Sequence, residues 1–244
     1  MSNKKNSRLL TIAAFAFSAL IVITAGWVFL NRQFLLDQMS VWSYEPSAEI
    51  QEISKKVKFT PKGEFIFYAT KPSIESENGF NQKCPRQEPG SPILGCYTKE
   101  DRIYVYDITN NDLAGMEEVT AAHEMLHAAW YRTSEEEKEK LAAHLEAAYA
   151  KIDNTDLKER MDYYRRTEPN QITNELHSIL GSEVDSLGEP LESYYAQFFD
   201  RQAVLALHKQ YNGVYKELYA KADELYAKIQ QLSTTIQERS KSYE

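Results

Sequence analysis

Residues 123–127 read His-Glu-Met-Leu-His. On an α-helix the two histidines stand one turn apart on one face, a spacing that lets both imidazoles hold a single Zn²⁺. Glu124, one residue round from His123, lies where a carboxylate can act as general base on a metal-bound water. Two histidines do not complete a catalytic zinc site, which needs three protein ligands and an open position. Arg132 and Thr133 occupy the stretch where a third histidine or aspartate at short spacing would fall, so a glutamate on a later helix is expected. The natural source is the segment 170–183, NQITNELHSILGSE. Its apolar stripe is Ile172, Leu176, Ile179 and Leu180, and at about 100° per residue Glu175 sits on the edge of that buried face. Glu175 is therefore the expected third ligand. Glu183 is the alternative, and reaches the buried face only if the helix survives Gly181, a frequent stop signal. His177 ranks behind both, since it falls about 130° from the centre of the stripe.

These side chains need elements to position them. A long helix is expected from the Asn110-Asn111 cap to about Arg132, with Met116, Val119, Thr120, His123, Leu126, His127 and Trp130 on one face, so that the histidines look toward a core. Before it, residues 102–108, RIYVYDI, read as a strand, as do residues 64–70, EFIFYAT, by their aromatic and β-branched content. Residues 71–95 are turn-rich and read as an irregular loop. A short helix is expected over 48–58. Ser134 and Glu137 form a capping box for a helix striped by Leu141, Leu145, Ala148 and Ile152. Further helices are expected over 156–166 and 170–180. From Tyr211 the apolar positions Tyr211, Tyr215, Leu218, Ala222, Leu225, Ile229, Leu232 and Ile236 alternate in steps of four and three, a heptad stripe. It either packs on another helix of its own chain, as long terminal helices commonly do, or forms a coiled coil with a partner through residues 211–236.

The 244 residues carry a formal charge of −8 and no basic patch, which argues against nucleic acid as a partner. Residues Leu9 to Leu30 contain no charge, and a helix of that length, roughly 33 Å, can cross a bilayer. Lys4, Lys5 and Arg8 precede it and should stay in the cytoplasm, placing everything after Arg32 outside. A cleaved signal peptide is the other reading, although its apolar region is usually only about 7–15 residues long. Cys84 and Cys96, the only cysteines, both follow this segment and would pair in an oxidising compartment. The expected organisation is a cytoplasmic tail (1–8), a transmembrane helix (9–30), a stalk (31–46) whose Phe34, Leu35, Leu36 and Trp42 suit the membrane surface, a domain over 47–200 and a C-terminal amphipathic helix over 201–244.

The run Thr120-Ala-Ala-His-Glu-Met-Leu-His-Ala-Ala129 resembles the active-site helix of zincin metallopeptidases. A strand shortly before it and a glutamate on a later helix make it similar to the gluzincin branch, here of a membrane-anchored bacterial type. The resemblance covers about residues 95–185 and implies an α+β fold with a small sheet and mostly helices. It implies that residues 102–108 are the edge strand that binds extended peptide, that His123, His127 and Glu175 hold zinc, and that Glu124 moves the proton in hydrolysing a peptide or protein substrate. An oxyanion donor is commonly needed as well. Tyr163, Tyr164 and His177 are the candidates, with a partly buried tyrosine pair and a surface histidine as the plainer readings. His144 reads as half-buried structure beside Leu141 and Leu145, and His208 has no partner legible in the sequence. The chain departs from the family in one place: Ile179 stands where an aspartate four residues after the third ligand would orient the first histidine. Two other readings remain open, a membrane-anchored interaction protein acting through its C-terminal helix, with an inactive or structural metal site, and a zinc amidase acting on cell-wall peptides.

Overall fold

A computed structural model describes residues 2–85 and 93–241, with side chains from residue 12 onward. The middle of the disulfide loop, residues 86–92, lies outside the described residues. The N-terminal helix α1 (Ser2–Leu30) is long and apolar enough over Ile12–Leu30 to cross a membrane, and none of that window is buried against the protein. A single turn at Asn31 separates it from α2 (Arg32–Trp42), and backbone bonds from Asn31 N–H to the Trp27 carbonyl and from Leu35 N–H to the Asn31 carbonyl carry the helical path across. Most of the expected stalk (31–46) is thus helical. Helix α2 packs on the domain, with Asp37 buried and paired to Arg132.

Helix α3 (Ala48–Val57) starts where Ser47 caps the Ile50 N–H, and it buries Ile50, Ile53 and Val57. Residues 64–70, expected as a strand, belong instead to α4 (Pro61–Ala69). Thr60 accepts from the Gly63 N–H and Pro61 presets the first turn, a start signal stronger than the β preference of Phe65, Ile66, Phe67 and Tyr68. Strand β1 (Ser73–Glu75) and helix α5 (Glu77–Lys83) follow, then β2 (Gly95–Tyr97) and β3 (Ile103–Tyr106). The sheet order is β1-β3-β2, with β1 parallel and β2 antiparallel to β3. This corrects the expected edge strand. Ile103 and Val105 of β3 are fully buried and both its neighbours are paired, so β3 is central and β2 is the edge that lies against the motif helix.

That helix, α6 (Met116–Arg132), begins later than expected, because Asn110 caps only a single 3-10 turn and Gly115 intervenes. It runs through the middle of the domain. Ala121, Ala122, Ala128 and Ala129 are buried along it and allow close approach, while Val119, Met125 and Leu126 fill the core. Helix α7 (Glu135–Tyr149) carries the expected capping box at Ser134 and Glu137. Then come α8 (Thr155–Thr167), α9 (Ile172–Glu183), α10 (Glu189–Tyr195) and α11 (Arg201–Lys241). Helix α9 survives Gly181 because that glycine is a packing residue: a Cβ there would stand 2.5 Å from Leu126 Cδ1 and from Tyr195 Cε1. Leu176, Ile179 and Leu180 of α9 join α6 in one core with Phe67, Leu145, Met161 and Tyr195. The result is mostly helical with a small sheet, as the sequence indicates at the level of class.

Cys84, at the C-terminal end of α5, is bonded to Cys96 in the middle of β2. The bond fixes the edge strand to α5 across a separation of 12 residues. Replacing both cysteines by serine is expected to cost about 3 kcal/mol of stability. The shift of the urea midpoint against the oxidised wild type measures it.

Candidate metal centre

Helices α6 and α9 cross so that the first turn of α9 faces the middle of α6. His123 Nε2 and His127 Nε2 lie 3.1 Å apart. Glu175 Oε1 is 3.5 Å from His127 Nε2, and Glu175 Oε2 is 3.9 Å from His123 Nε2. One ligand atom from each residue falls within 4.8 Å of the others. Tetrahedral zinc, with bonds of about 2.0–2.2 Å, separates neighbouring ligand atoms by roughly 3.3 Å. The three groups therefore fit around one small dication.

The outer faces of these ligands are also engaged. Glu183 does not join the Nε2 side of the cluster; its Oε1 lies 3.9 Å from His123 Nδ1, the opposite ring nitrogen. Ser182 Oγ stands 3.5 Å from the same Nδ1 and donates to the Ser178 carbonyl. Arg160 of α8 donates to Glu183 Oε2 at 2.8 Å, and His208 of α11 approaches that oxygen at 3.7 Å. Glu183 thus lies on the Nδ1 side of His123, one turn beyond Ile179, and His208 gains the partner not visible in sequence. Asn174 contacts His127, and the Tyr164 hydroxyl hydrogen-bonds Glu175.

Glu124 is buried beside β2, where its carboxylate accepts from the Tyr97 backbone N–H. Gly95 makes this approach feasible. A Cβ on Gly95 would stand 2.8 Å from Glu124 Cγ and Oε1 and 2.5 Å from Thr120 Cγ2. Among the expected oxyanion donors, Tyr164 reaches the cluster while Tyr163 packs edge-on against the Tyr164 ring. His177 is not at the surface. It is fully buried among Trp130, Tyr194 and Tyr195, with Nε2 3.0 Å from the Tyr194 hydroxyl. The sequence places it at the surface because the residues that enclose it, Trp130 of α6 and Tyr194 and Tyr195 of α10, come from other elements. His144 is exposed rather than half-buried.

Burial dominates the electrostatics. It pushes the Glu124 carboxyl up to about 7, with His127 acting in the opposite sense. Burial also raises Glu175 and drives His123 well below its ordinary range, which keeps that imidazole neutral and its lone pair available. At His127 burial again opposes charge, but the carboxylates of Glu175 and Glu124 outweigh it and raise the group. Burial holds His177 down at about 3, so it is a neutral packing histidine.

Replacing Glu183 by Gln is expected to weaken metal binding by about 10–100-fold without removing a ligand, because His123 loses its charged orienting partner. Competition against a chelating dye measures the change. An affinity equal to wild type would show that Glu183 does not act through His123. Gly95, Asn174, Arg160, Ser182 and His208 were not singled out for these positions from sequence; of them only Gly95, next to Cys96, carried a local hint of a close approach. Comparison of the chain with protein-family models, with curated proteins and with solved structures finds no match.

Proposed function

We propose that this chain is a membrane-anchored, zinc-dependent peptidase of zincin-like, gluzincin-type architecture, with its catalytic domain outside the cytoplasm. The observation that carries the reading is the convergence of His123, His127 and Glu175 on one point, with Glu124 buried beside them. When bound there, zinc supplies Lewis acidity, which brings water ionisation toward neutral pH and polarises a carbonyl. The chain's own residues supply the rest. Glu124 sits next to the ligand His123 and takes up a proton from water, then returns it to the departing amine. Its hydrogen bond from Tyr97 N–H aims the carboxylate. Among the described residues strand β2 is paired on one side only, to β3, so its other edge can bind an extended peptide by strand addition. Tyr164, beside Glu175, is the candidate donor to a developing oxyanion.

The placement outside the cytoplasm rests on the apolar window of α1, on the basic residues Lys4, Lys5 and Arg8 that precede that window, and on the Cys84–Cys96 bond, a feature of oxidising compartments. The same chemistry would cleave amide bonds in cell-wall peptides, and only the substrate distinguishes the two hydrolases. The test is metal analysis of the purified full chain together with a peptide-hydrolysis assay. His123→Ala and His127→Ala are each expected to lose zinc and activity together. Zinc content and hydrolysis unchanged in both variants would overturn the reading.

A further inference from the structure

Helix α11 is 41 residues long, and only its first third belongs to the domain. Val204 and Leu205 are buried, and Leu207 and Tyr211 pack against the core. Beyond them the helix leaves the domain with its stripe intact. Leu218, Leu225, Ile229, Leu232 and Ile236 are 54–66% exposed, and Ala222 between them is exposed as well. The near end of the stripe packs on its own chain, and nothing among the described residues covers the distal part. It extends about 27 Å, with Lys216, Glu217, Asp223, Glu224, Gln230 and Gln231 on the polar faces away from it.

The heptad positions identify what covers the stripe. Leu218, Leu225 and Leu232 fall at d, while Ala222, Ile229 and Ile236 fall at a. Leucine at d with β-branched isoleucine at a is the arrangement that two parallel strands pack best. The flanking positions separate the two directions. The g positions carry Lys221 and Lys228, and the e positions carry Tyr219, Tyr226 and Ser233. In a parallel pair g faces e of the other strand, so Lys221 lies along Tyr226, its stem on the ring and its charge near the π face. In an antiparallel pair g faces g, and Lys228 is set against the same residue of the other copy. A single membrane-crossing helix per chain orients every copy in one bilayer alike and concentrates the distal helices in one layer.

We infer that residues 218–236 of α11 form a parallel, in-register two-stranded coiled coil with a second copy of this chain. The interface is independent of the metal centre and of the peptidase reading, because α11 approaches that centre through His208 and Tyr211, both of which precede the stripe.

The experiment is disulfide cross-linking of the full chain in its membrane. Leu218→Cys and Ile236→Cys variants are made separately on the background of the bonded Cys84–Cys96 pair. Both substituted positions are exposed, so neither endangers the fold. The expected result is a covalent species of twice the chain mass from each variant alone. Cross-linking only when the two variants are mixed would mean an antiparallel pair and would overturn the inference, as would no cross-link in any sample or a product containing a different protein. As a control, Leu225→Lys with Ile229→Lys is added to the Leu218→Cys background. It is expected to cut the yield at least tenfold while zinc content stays at the level of the parent. An undiminished yield would show chance collision in the membrane and would equally overturn the inference.

Discussion

Glu124→Gln is expected to bind zinc like the wild type and to hydrolyse peptide at least 10²-fold, and up to about 10⁴-fold, more slowly. The carboxamide is nearly isosteric and its oxygen can still accept from the Tyr97 N–H, so β2 and α6 keep their spacing. It cannot take up a proton. The loss should fall on kcat with KM little changed, because Glu124 holds a proton rather than the substrate. Stability should not suffer, since the substitution removes a buried ionisable group whose charge burial already disfavours.

The contrast with the ligand variants gives this prediction its force. His127→Ala removes one of the three proposed ligands and should abolish metal and activity together, whereas Glu124→Gln should separate the two. A Glu124→Gln protein that has lost its zinc would mean that Glu124 is itself a ligand, and the assignment of Glu175 would fall with it. Normal activity would mean that the proton goes elsewhere, with no candidate as close. Metal content by emission spectroscopy and initial rates on the same preparations decide between these outcomes.

The parts of this site that were legible in the sequence are those carried by local geometry. An i, i+4 pair of histidines declares its shared face wherever the helix lies, and Glu175 announces itself by sitting beside Ile172 and Ile179. Glu183, the alternative ligand in the sequence reading, lies on the same helix as Glu175 but on the Nδ1 side of His123, away from the Nε2 atoms. Its role depends on Arg160 and His208, which come from α8 and α11 and meet it only through tertiary packing. Gly181 was read as a terminator because glycine often ends helices, while here it makes room for Leu126 and Tyr195. The segment 64–70 shows the same conflict in another form. Its side chains favour a strand, but the Thr60 cap, Pro61 and the burial of Ile66 and Phe67 against the domain favour a helix, and packing with a cap outweighs propensity. The rank of β3 as a central strand could not be read either, since pairing with β1 and β2 is non-local.

Arg132→Met is expected to destabilise the domain by about 3–5 kcal/mol, the largest stability effect of any single substitution discussed for this chain. Arg132 closes α6, and its guanidinium is held by two carboxylates from distant places: Asp37 of α2 at 2.6 and 2.8 Å, and Asp101, in the turn between β2 and β3, at 2.7 and 3.1 Å. Burial works against the charge on Arg132, yet the pairing with Asp37 and Asp101 holds its proton more firmly than in water. The Asp37 side chain is 5% exposed, so methionine at 132 would strand a carboxylate out of water. For a domain of this size the melting temperature should fall by roughly 10–15 °C. If the cost is that of an uncompensated charge, adding Asp37→Leu to Arg132→Met should restore part of the loss, and a double variant no more stable than the single one would refute that cause. The consequence reaches the metal centre. The same arginine ties the helix leaving α1 to the helix bearing His123 and His127, and ties both to the turn that sets β2. Single variants that still fold should therefore lose activity more steeply with temperature than they lose helical signal, because the edge strand and Glu124 separate before the core melts.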